Sequence, residues 1–593
     1  MSAAVTAGGV TGTGTGPFTA DLDCPVGQCG GVYPLLFTLT DTATGSESRL
    51  LCYLVYTDPP GDIEALRMAV VVPLALAPSS SGAPSVTTTG LSSLTGQLRA
   101  LSGTEAGVPL TLAPEPATVA ALAADPEARA KAALSSLVAL TAEPYRQTLC
   151  GAFVPVNASV LVTARLGGST ELAAQIHRGT EVLDAVAGLR TTDCADANVW
   201  VANGTLDSAA LGALGTLGDN DVVVPPASVA GPAPAITPTR RFTLDGGGRT
   251  GNAVLSDPGL SGRLASASTT DPALAADQLL AEAELDYYEA PNTPDARGVV
   301  VTPPAGGQID PTVLTDVLTG LENNPMVDPV TLATLFAEVP VGGTVAGFAE
   351  LSNRRPAGVD TTAGLPTAAL ATARAQLTGF SAAVAGSSAT GNGIVAGLGD
   401  LLLEAESDQL RSAQQRAAVG HFEDALRQQL SVLSITSHEV RLTSHTASVP
   451  ITVVKTAPYP VQAVLTVTSD KIAFSTGSAQ PPNAECRRPL VTNSDGRSSV
   501  SSLCTFVHGT NAVYIEMRSR VSGDFRMSVT LDSPQAGLTL ASGEITVRSL
   551  STSVVAIVLT VVAGAVLLGW WGRTMRRTRR VRRGAHRQRA DGP

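Results

Sequence analysis

Polar residues follow several predicted strands at positions where acid–base chemistry could occur. Glu115 belongs to LAPEP, Asn203 and Asp207 lie in VANGTLD, and Asp221 opens DVVVPP. Paired carboxylates can flank a glycosidic bond and divide the acid and base roles between them. Glu115, Asp207 and Asp221 are therefore candidate catalytic residues. For Glu115 and Asp207 we favour a structural role in the first turn of the following helix. Acids are common at that position and suit the helix dipole.

The sequence offers no other recognisable chemical site. The six histidines form no HxH or HExxH spacing, and the cysteines form no CxxC pair. The Gly-rich stretch LDGGGRTGN lacks a GxGxxG pattern and a GK[ST] ending, and no GxSxG elbow occurs. We therefore predict neither a cofactor nor a metal site.

Strands and helices alternate around the candidate residues. LRMAVVVPLAL reads as a strand buried on both faces, and VPLTLAP, NVWVANG, DVVVPP and ARGVVVTPP read as further strands. Helical patterns lie between them, including one long Ala-rich stretch that ends at Leu140. This alternation predicts parallel βα units and a βα-barrel-like domain over residues 62–340, with functional groups at the carboxyl ends of its strands.

The segments on either side of this domain differ in character. Residues 341–434 predict a helical region, interpreted as a small bundle, and residues 435–549 show the period-two segments of an immunoglobulin-like β-sandwich. Residues 31–57 read as two strands around a turn, so residues 1–61 are expected to be a partial, truncated β-sandwich. The predicted fold class is multidomain α/β plus all-β, ending in a transmembrane helix.

The C-terminal segment predicts a membrane anchor over residues 550–572. No charged residue occurs from Val554 to Trp571, and a span needs roughly 20 apolar residues. Residues 573–593 form a basic tail with nine arginines, which the positive-inside rule keeps in the cytoplasm. We expect a single pass through the plasma membrane, with the bulk of the chain outside the cytoplasm and interface positions at Trp570, Trp571, Arg573, Arg576 and Arg577.

Export and cysteine usage point to the same compartment. The first residues contain neither a basic start nor an apolar stretch of signal-peptide length, so we expect the true start to lie upstream of Met1. The seven cysteines suit structural disulfides in an oxidising environment, and the odd number agrees with a missing partner. The candidate disulfide residues are Cys150 with Cys194, and Cys486 with Cys504.

Charge limits the choice of partners. The formal net charge is −12, and the nine arginines and one aspartate after Gly572 contribute +8, which leaves −20 on the rest. A strongly acidic exterior argues against nucleic acid as a partner. The membrane is the expected partner of the helix, and cell-wall glycan or envelope-synthesis proteins are possible partners of the exterior part.

The domain order loosely resembles carbohydrate-active enzymes that have a seven-stranded barrel followed by helices. In those enzymes a W-x-P-E strand delivers a nucleophilic carboxylate. NVWVANG places Ala202 and Asn203 at the Pro-Glu positions. An asparagine cannot supply the negative charge that an oxocarbenium centre requires, so the resemblance implies a barrel that binds without catalysing.

The C-terminal third carries a second resemblance. ASVPITVVKTAPYPVQAVLTVTS, SGDFRMSVTLDSPQ and the membrane segment resemble the end of an uncharacterised actinobacterial membrane-protein family, domain of unknown function 6049, and GVYPLLFTLTD and LRMAVVVPLAL also match it. The resemblance implies a single-pass cell-envelope protein. Genes of this family often neighbour the gene for the flippase of lipid-linked peptidoglycan precursors, which implies envelope work without naming a reaction.

Two hypotheses follow. The first is a membrane-anchored extracytoplasmic protein that binds a glycan or a partner of wall synthesis without catalysis. The alternative is an active glycan hydrolase or deacetylase of the cell envelope. The sequence leans towards the first, because the best-placed barrel residue is Asn203, and leaves enzyme activity open.

Overall fold

The computed structural model of the chain divides into two compact units. One unit comprises the chain up to Ala371 together with Asp400–His421, and the other comprises Thr372–Gly399 and the chain from Phe422 onward. The structure describes residues 30–584 except 41–42, 57–63, 80–81, 104–106, 165, 188–198, 233–234, 266–270, 292, 304–308, 358–363, 385–387, 437–438, 443–445, 479–483, 488–489, 495–496, 508, 522, 536 and 550–553.

Some residues considered above lie outside this described part. They include the N-terminal segment 1–29 and residues 585–593 of the basic tail. The side chain of Arg577 also lies outside it, although the backbone there is helical. The remaining ones are Cys194, His438, His445 and His508.

The first unit begins with a β-hairpin, as the sequence predicts. Strands β1 (Gly31–Thr40) and β2 (Glu47–Tyr56) pair in antiparallel register. The hairpin lies against helix α8 (Pro272–Glu289), where the backbone N–H of Tyr53 donates to Asp277 Oδ2 at 3.2 Å. The hairpin is thus fixed to the unit that also contains the parallel strands.

Strand β3 (Leu66–Leu74) is the centre of a parallel sheet. Most of its side chains are buried on both faces, which explains the continuous apolar run in the sequence. Its first half pairs with two later strands, and its second half pairs with the strand that follows it along the chain. These neighbours are β10 (Gly298–Val301), β11 (Val327–Val330), β4 (Leu110–Pro114) and, beyond β4, β5 (Arg146–Thr148).

A second sheet continues the parallel arrangement. A parallel bridge joins Ser256 to Val300, and the N–H of Asp257 donates to the carbonyl of Val300 at 2.9 Å. Seven of the described parallel strands thus follow the order β5-β4-β3-β10-β9-β7-β6, with β11 also paired to β3, and their carboxyl ends share one edge. The second sheet contains β6 (Val199–Val201), β7 (Asp221–Val224), β9 (Arg249–Leu255), the antiparallel β8 (Phe242–Gly246) and β14 (Asn353–Arg354).

The Gly-rich stretch LDGGGRTGN forms the β8–β9 hairpin. Gly247 has φ +63°, and a Cβ there would lie 2.2 Å from the Ser208 carbonyl. Only glycine therefore allows the close approach of this turn to the helix that begins at Ser208. A short pair, β12 (Thr344–Val345) with β13 (Phe348–Ala349), follows later in the unit.

Helices connect the parallel strands, and side-chain caps define where several begin. Thr87, Asn157, Asp207, Asp257 and Asp271 each accept a first-turn backbone N–H, which satisfies a donor that the helix itself leaves unpaired. The further helices of this region are α1 (Thr88–Leu101), α2 (Pro116–Ala124), α3 (Ala128–Thr141), α4 (Ala158–Thr163), α5 (Ser169–Ala187), α6 (Ser208–Leu217), α7 (Pro258–Leu264), α9 (Pro311–Leu321) and α10 (Leu332–Glu338).

One predicted helix is divided in two. The Ala-rich stretch up to Leu140 forms α2 and α3 with a break at Asp125 and Pro126. A proline disfavours helical backbone at the residue before it and donates no N–H. Asp125 is accordingly extended, with ψ 126°.

Three helices contribute to both compact units. They are α11 (Thr367–Val384), α12 (Ala389–Glu404) and α13 (Ser412–Leu430). Most of the stretch SSATGNG lies in α12, which begins at Ala389. The region predicted as helical therefore contains these helices, but the division into compact units passes through them.

The second unit contains two sheets with period-two burial. In strand β18 (Val461–Ser469), Val461, Ala463, Leu465 and Val467 point inward while the intervening residues are less buried. One sheet has β15 (Leu433–Thr436), β17 (Thr446–Lys455), β23 (Thr510–Ser519) and β19 (Ile472–Ser478). The other has β16 (Val440–Leu442), β25 (Thr539–Ser549), β24 (Gly523–Asp532), β18 (Val461–Ser469), β22 (Arg497–Phe506), β20 (Ala484–Cys486) and β21 (Leu490–Ser494).

The predicted disulfide of this unit is confirmed. Cys486 and Cys504 lie opposite each other on β20 and β22 and are bonded. In the first unit Cys150 is also disulfide-bonded, while its predicted partner lies outside the described residues. Cys52, on β2, is free.

The final helix, α14 (Val554–Gly584), is long and apolar enough to cross a membrane. The candidate span is Val558–Arg576, and none of it is buried within the protein. Trp570 and Trp571 are 65% and 61% exposed. The helix is consistent with the predicted single span.

Candidate functional site

A cavity of about 470 Å³ opens at the carboxyl ends of the parallel strands. Its walls come from the ends of β3, β4 and β6 and from the segments that follow β5 and β10, all within the first unit. Most of the lining is apolar: Val71, Pro73, Ala75, Leu76, Ala77, Pro78, Ala113, Pro114, Pro116, Leu149, Ala152, Val154, Pro155, Val156, Val199, Val201 and Pro303, with Gly151 and the disulfide-bonded Cys150.

A few polar side chains interrupt this apolar wall. Among the described lining residues Glu115 is the only acid, and none is Lys, Arg or His. Amide and hydroxyl groups therefore supply most of the polar lining. The polar lining residues are Gln97, Glu115, Trp200, Asn203, Thr302 and Gln409.

Glu115 lies between β4 and α2 and turns its carboxylate away from the helix backbone. The side chain makes no helix cap, and its Oε2 accepts a hydrogen bond from Thr118 Oγ1 at 2.5 Å. Thr118 Oγ1 in turn accepts the N–H of Leu76 at 2.9 Å, which ties the acid to the end of β3. Burial raises the pKa of Glu115 to about 7; the Thr118 bond opposes the shift and the charge of Asp408 adds to it.

Two further acids lie near Glu115 although they follow it by almost 300 residues. Burial raises the pKa of Glu404 to about 8, and the charges of Asp400 and Glu115 add to the shift. Burial likewise raises the pKa of Asp408 to about 7. We name Glu115, Glu404 and Asp408 the acid cluster. At neutral pH these groups hold protons that isolated carboxyl groups would have lost.

The segment that carries these two acids is held by hydrogen bonds and an ion pair. The N–H of Asp408 donates to the Pro155 carbonyl at 3.0 Å. Gln175 Nε2 donates to the Leu403 carbonyl at 2.9 Å. Arg178 forms a bidentate pair with Asp400, with both N···O distances 2.7 Å. The position of the acid cluster is therefore set by α5 and by the loop that follows β5.

Asn203 places an amide group at the cavity, whereas the Trp200 side chain lies in the helix-facing core cluster that also contains Val222 and Val224. Trp200 lies on β6 and is 7% exposed, and its indole N–H has no acceptor among the described residues. Asn203 follows the end of the same strand and lines the cavity too. The position that the resemblance to carbohydrate-active enzymes gives to a nucleophilic carboxylate thus carries an amide at the cavity wall.

The other two predicted acids lie elsewhere. Asp207 caps α6, where its Oδ1 accepts the N–H of Ala210 at 2.8 Å. Asp221 lies at the amino end of β7, opposite to the carboxyl edge, and accepts Asn252 Nδ2 at 2.8 Å. Neither is among the cavity-lining residues, so the structure does not bring Glu115, Asp207 and Asp221 together.

The described residues also hold no cluster that resembles a metal site. No group of three or more His, Cys, Asp or Glu side chains among them has the arrangement to hold an ion. His421, one of the histidines weighed above, is exposed on α13. The acid cluster is therefore a set of interacting carboxyl groups without the geometry of metal ligands.

The fold and the site define a mixed α/β protein with a largely apolar cavity at the ends of parallel strands. The chain belongs to the family of unknown function DUF6049, whose model matches residues 28–487. This confirms the family resemblance predicted from the sequence. No protein with a curated description matches the chain.

Solved structures with a similar course of the chain include several carbohydrate enzymes. The alpha-amylase AmyC from Thermotoga maritima is 10% identical with a TM-score of 0.40, covering 62% of this chain and 94% of AmyC. An alpha-mannosidase from Enterococcus faecalis is 10% identical with a TM-score of 0.36, covering 80% and 61% of the two chains. An exo-type maltose-forming amylase from Pyrococcus has 10% identity and a TM-score of 0.33, covering 49% and 52%. These similarities are too distant to carry an argument about activity.

Proposed function

We propose that this protein is a membrane-anchored, extracytoplasmic glycan-binding protein of the cell envelope, with the strand-end cavity as a non-catalytic sugar site. One observation carries the proposal: the cavity combines an apolar wall with several amide and hydroxyl side chains, but its described lining contains a single acid.

The cavity suits a sugar in size and chemistry. Its volume of about 470 Å³ lies within the range of ligand sites. A sugar ring offers an apolar face and several hydroxyl groups, so it needs both apolar contact and hydrogen-bonding side chains. The apolar wall can contact the face of the sugar ring, and Asn203 and Gln409 supply amides that can both donate and accept.

Catalysis is disfavoured by the arrangement of acids. Glycoside hydrolysis in most enzymes needs two carboxyl groups that flank the scissile bond. Glu115 lines the cavity, whereas Glu404 and Asp408 do not line it, and Asn203 has no charge. The pKa of Glu115 is about 7, which suits a general acid at neutral pH. This observation makes an active hydrolase the second candidate.

The proposed architecture extends the observed topology. We interpret the order β5-β4-β3-β10-β9-β7-β6 as a βα barrel and the two sheets of the second unit as an immunoglobulin-like sandwich. The basic tail of residues 573–593 supports a cytoplasmic C-terminus. A reporter fused after Pro593 should be active in the cytoplasm, and activity outside would overturn this orientation.

Binding can be tested with the full chain in detergent. Isothermal titration with tetrasaccharides of β-1,4-linked N-acetylglucosamine, glucosamine and α-1,4-linked glucose should give binding by at least one. Asn203→Ala removes an amide from the cavity wall and should weaken that binding about tenfold. Asn353→Ala, at an exposed position on β14, is the matched control and should bind as the native chain does.

The same samples distinguish the two candidate functions. Mass spectrometry after prolonged incubation should find each tetrasaccharide intact. Shortened or deacetylated products that disappear in Glu115→Gln would replace the binding function by the enzyme. No binding by any tetrasaccharide would overturn the glycan-binding function itself.

A further inference from the structure

We propose that the arginine-rich end of α14 binds the phosphate groups of anionic phospholipids; this goes beyond glycan binding and rests on the membrane anchor of the proposed function. We name residues 573–584 the basic helix end. Seven of its residues are arginine, and none is Asp or Glu. A basic segment that directly continues a membrane span complements an anionic lipid surface in charge.

Helix α14 is longer than a bilayer requires. It has 31 residues, so it extends about 46 Å, whereas the hydrocarbon layer is about 30 Å thick. Trp570 and Trp571 are residue types that favour the membrane–water interface. Arg577 follows Trp571 by about 9 Å along the helix axis, which is close to one Debye length at physiological ionic strength. The first arginines thus lie at the depth of the lipid headgroups.

The two arginines nearest the span are available to a ligand. Arg573 and Arg576 are exposed, and no ion pair joins either of them to another described residue. A guanidinium group offers a planar fork of N–H donors that matches two phosphate oxygens at once. These two side chains are therefore suited to lipid phosphate in charge, position and geometry.

The spacing of the arginines gives a second, independent observation. Like charges four residues apart destabilise an isolated helix, and α14 contains no acid that would offset them. The backbone nevertheless remains helical to Gly584. Anions from outside the chain would relieve the repulsion, and phospholipid phosphates are the anions nearest to a span. The arginine pairs with this spacing are Arg573 with Arg577, Arg576 with Arg580, and Arg579 with Arg583.

Tryptophan fluorescence can report which lipid contacts the helix. The chain has three tryptophans; Trp200 is buried in the first unit, whereas Trp570 and Trp571 are exposed beside the basic helix end. Lipids with brominated acyl chains quench tryptophans that they touch. The full chain is reconstituted in phosphatidylcholine vesicles that contain a minor fraction of brominated phosphatidylglycerol or the same fraction of brominated phosphatidylcholine.

We expect phosphatidylglycerol to be enriched about fivefold around the helix at low salt. High salt should reduce this preference to below about twofold, because it screens the charges. Replacing the four arginines nearest the span by Gln should have the same effect, while replacing them by Lys should keep most of the preference. These four are Arg573, Arg576, Arg577 and Arg579.

The matched control removes the same number of charges elsewhere. Four arginines that are exposed outside α14 are replaced by Gln, and the lipid preference should remain that of the native chain. They are Arg411, Arg416, Arg487 and Arg518. Quenching by brominated phosphatidylcholine in every variant checks that the helix is still inserted.

The outcomes separate this inference from the anchor on which it rests. Equal quenching by the two brominated lipids overturns anionic-lipid binding and leaves the anchor standing. Quenching by neither lipid overturns both. A preference that survives the Gln variant contradicts a role for the arginines. Arginine-dependent binding of a short DNA duplex without any lipid preference would make the basic helix end a nucleic-acid site instead.

Discussion

Two strand-to-helix junctions of the first unit both place an acid directly before the helix but give it different chemistry. Glu115 precedes α2 after strand β4, and Asp207 precedes α6 after strand β6. Asp207 accepts a backbone N–H of its helix at 2.8 Å. Glu115 makes no cap, lines the cavity and has a raised pKa. The same position relative to the following helix thus gives a structural acid in one place and a site acid in the other.

The neighbouring residues explain this difference. Pro116 has no N–H, and the N–H of Ala117 donates to the Phe153 carbonyl at 2.9 Å. The first turn of α2 therefore has fewer free donors for a cap than α6 has. The carboxylate of Glu115 bonds to Thr118 instead. An acid after a strand is thus a better site candidate when the helix start has already satisfied its own donors.

The largest expected effect is on the pH dependence of the free energy of unfolding. The pKa of Glu404 rises from 4.5 to about 8, so between these values the folded chain holds a proton that the unfolded chain has lost. The free energy of unfolding therefore falls as the pH rises through this window. Glu404→Gln should remove this loss and stabilise the chain above about pH 8 by on the order of 1–3 kcal/mol, with little change near pH 5.

Chemical denaturation of native and variant chains in the same detergent measures this difference. Other buried acids such as Asp219 and Asp286 also have raised pKa values, but they are common to both chains and cancel. Glu423→Gln should leave the pH profile unchanged. Parallel profiles for the native chain and Glu404→Gln would show that the acid cluster does not hold its protons.

The second effect concerns the Thr118 hydroxyl, which hydrogen-bonds the Glu115 carboxylate, whereas a capping acid would bond a backbone N–H of the helix. Thr118 is fully buried and serves both Glu115 and the N–H of Leu76. Thr118→Val leaves that N–H unpaired and should cost about 2 kcal/mol of stability, with weaker glycan binding because Glu115 loses its position. Denaturation and titration measure the two losses.

The other junction offers the matched variant. Ser159 is equally buried, and its Oγ accepts the N–H of Asp207 at 2.8 Å. Ser159→Ala should therefore also destabilise the chain, by about 1–2 kcal/mol, but should leave glycan binding intact. Equal losses of binding in both variants would remove the distinction between the two junctions.

Local patterns predicted many of the elements that build the site. The apolar run of β3, the strand ending at LAPEP and the strand before Asn203 are all present. Period-two patterning also predicted strands of the second unit and the Cys486–Cys504 pair. These features depend on neighbours within about ten residues or on a hairpin, so the sequence carries them directly.

The acid cluster could not be predicted in this way. Glu404 and Asp408 meet Glu115 only because α5 holds their segment through Gln175 and Arg178. Such contacts join positions more than 200 residues apart, and no periodicity reports them. A possible signal is the acid-rich run EAESD at the end of α12, whose alternating small and acidic residues lie in a largely buried stretch.

The smallest expected effect comes from removing the charge of Asp207. Asparagine and aspartate are equally good helix caps, whereas alanine is a poor one. Asp207→Asn should therefore change stability by only a few tenths of a kcal/mol, and Asp207→Ala should cost about 1 kcal/mol. Both should bind glycan as the native chain does, since Asp207 does not line the cavity. Titration showing weaker binding by Asp207→Asn at unchanged stability would place Asp207 in the site, because the cap would be intact and only its charge would be gone.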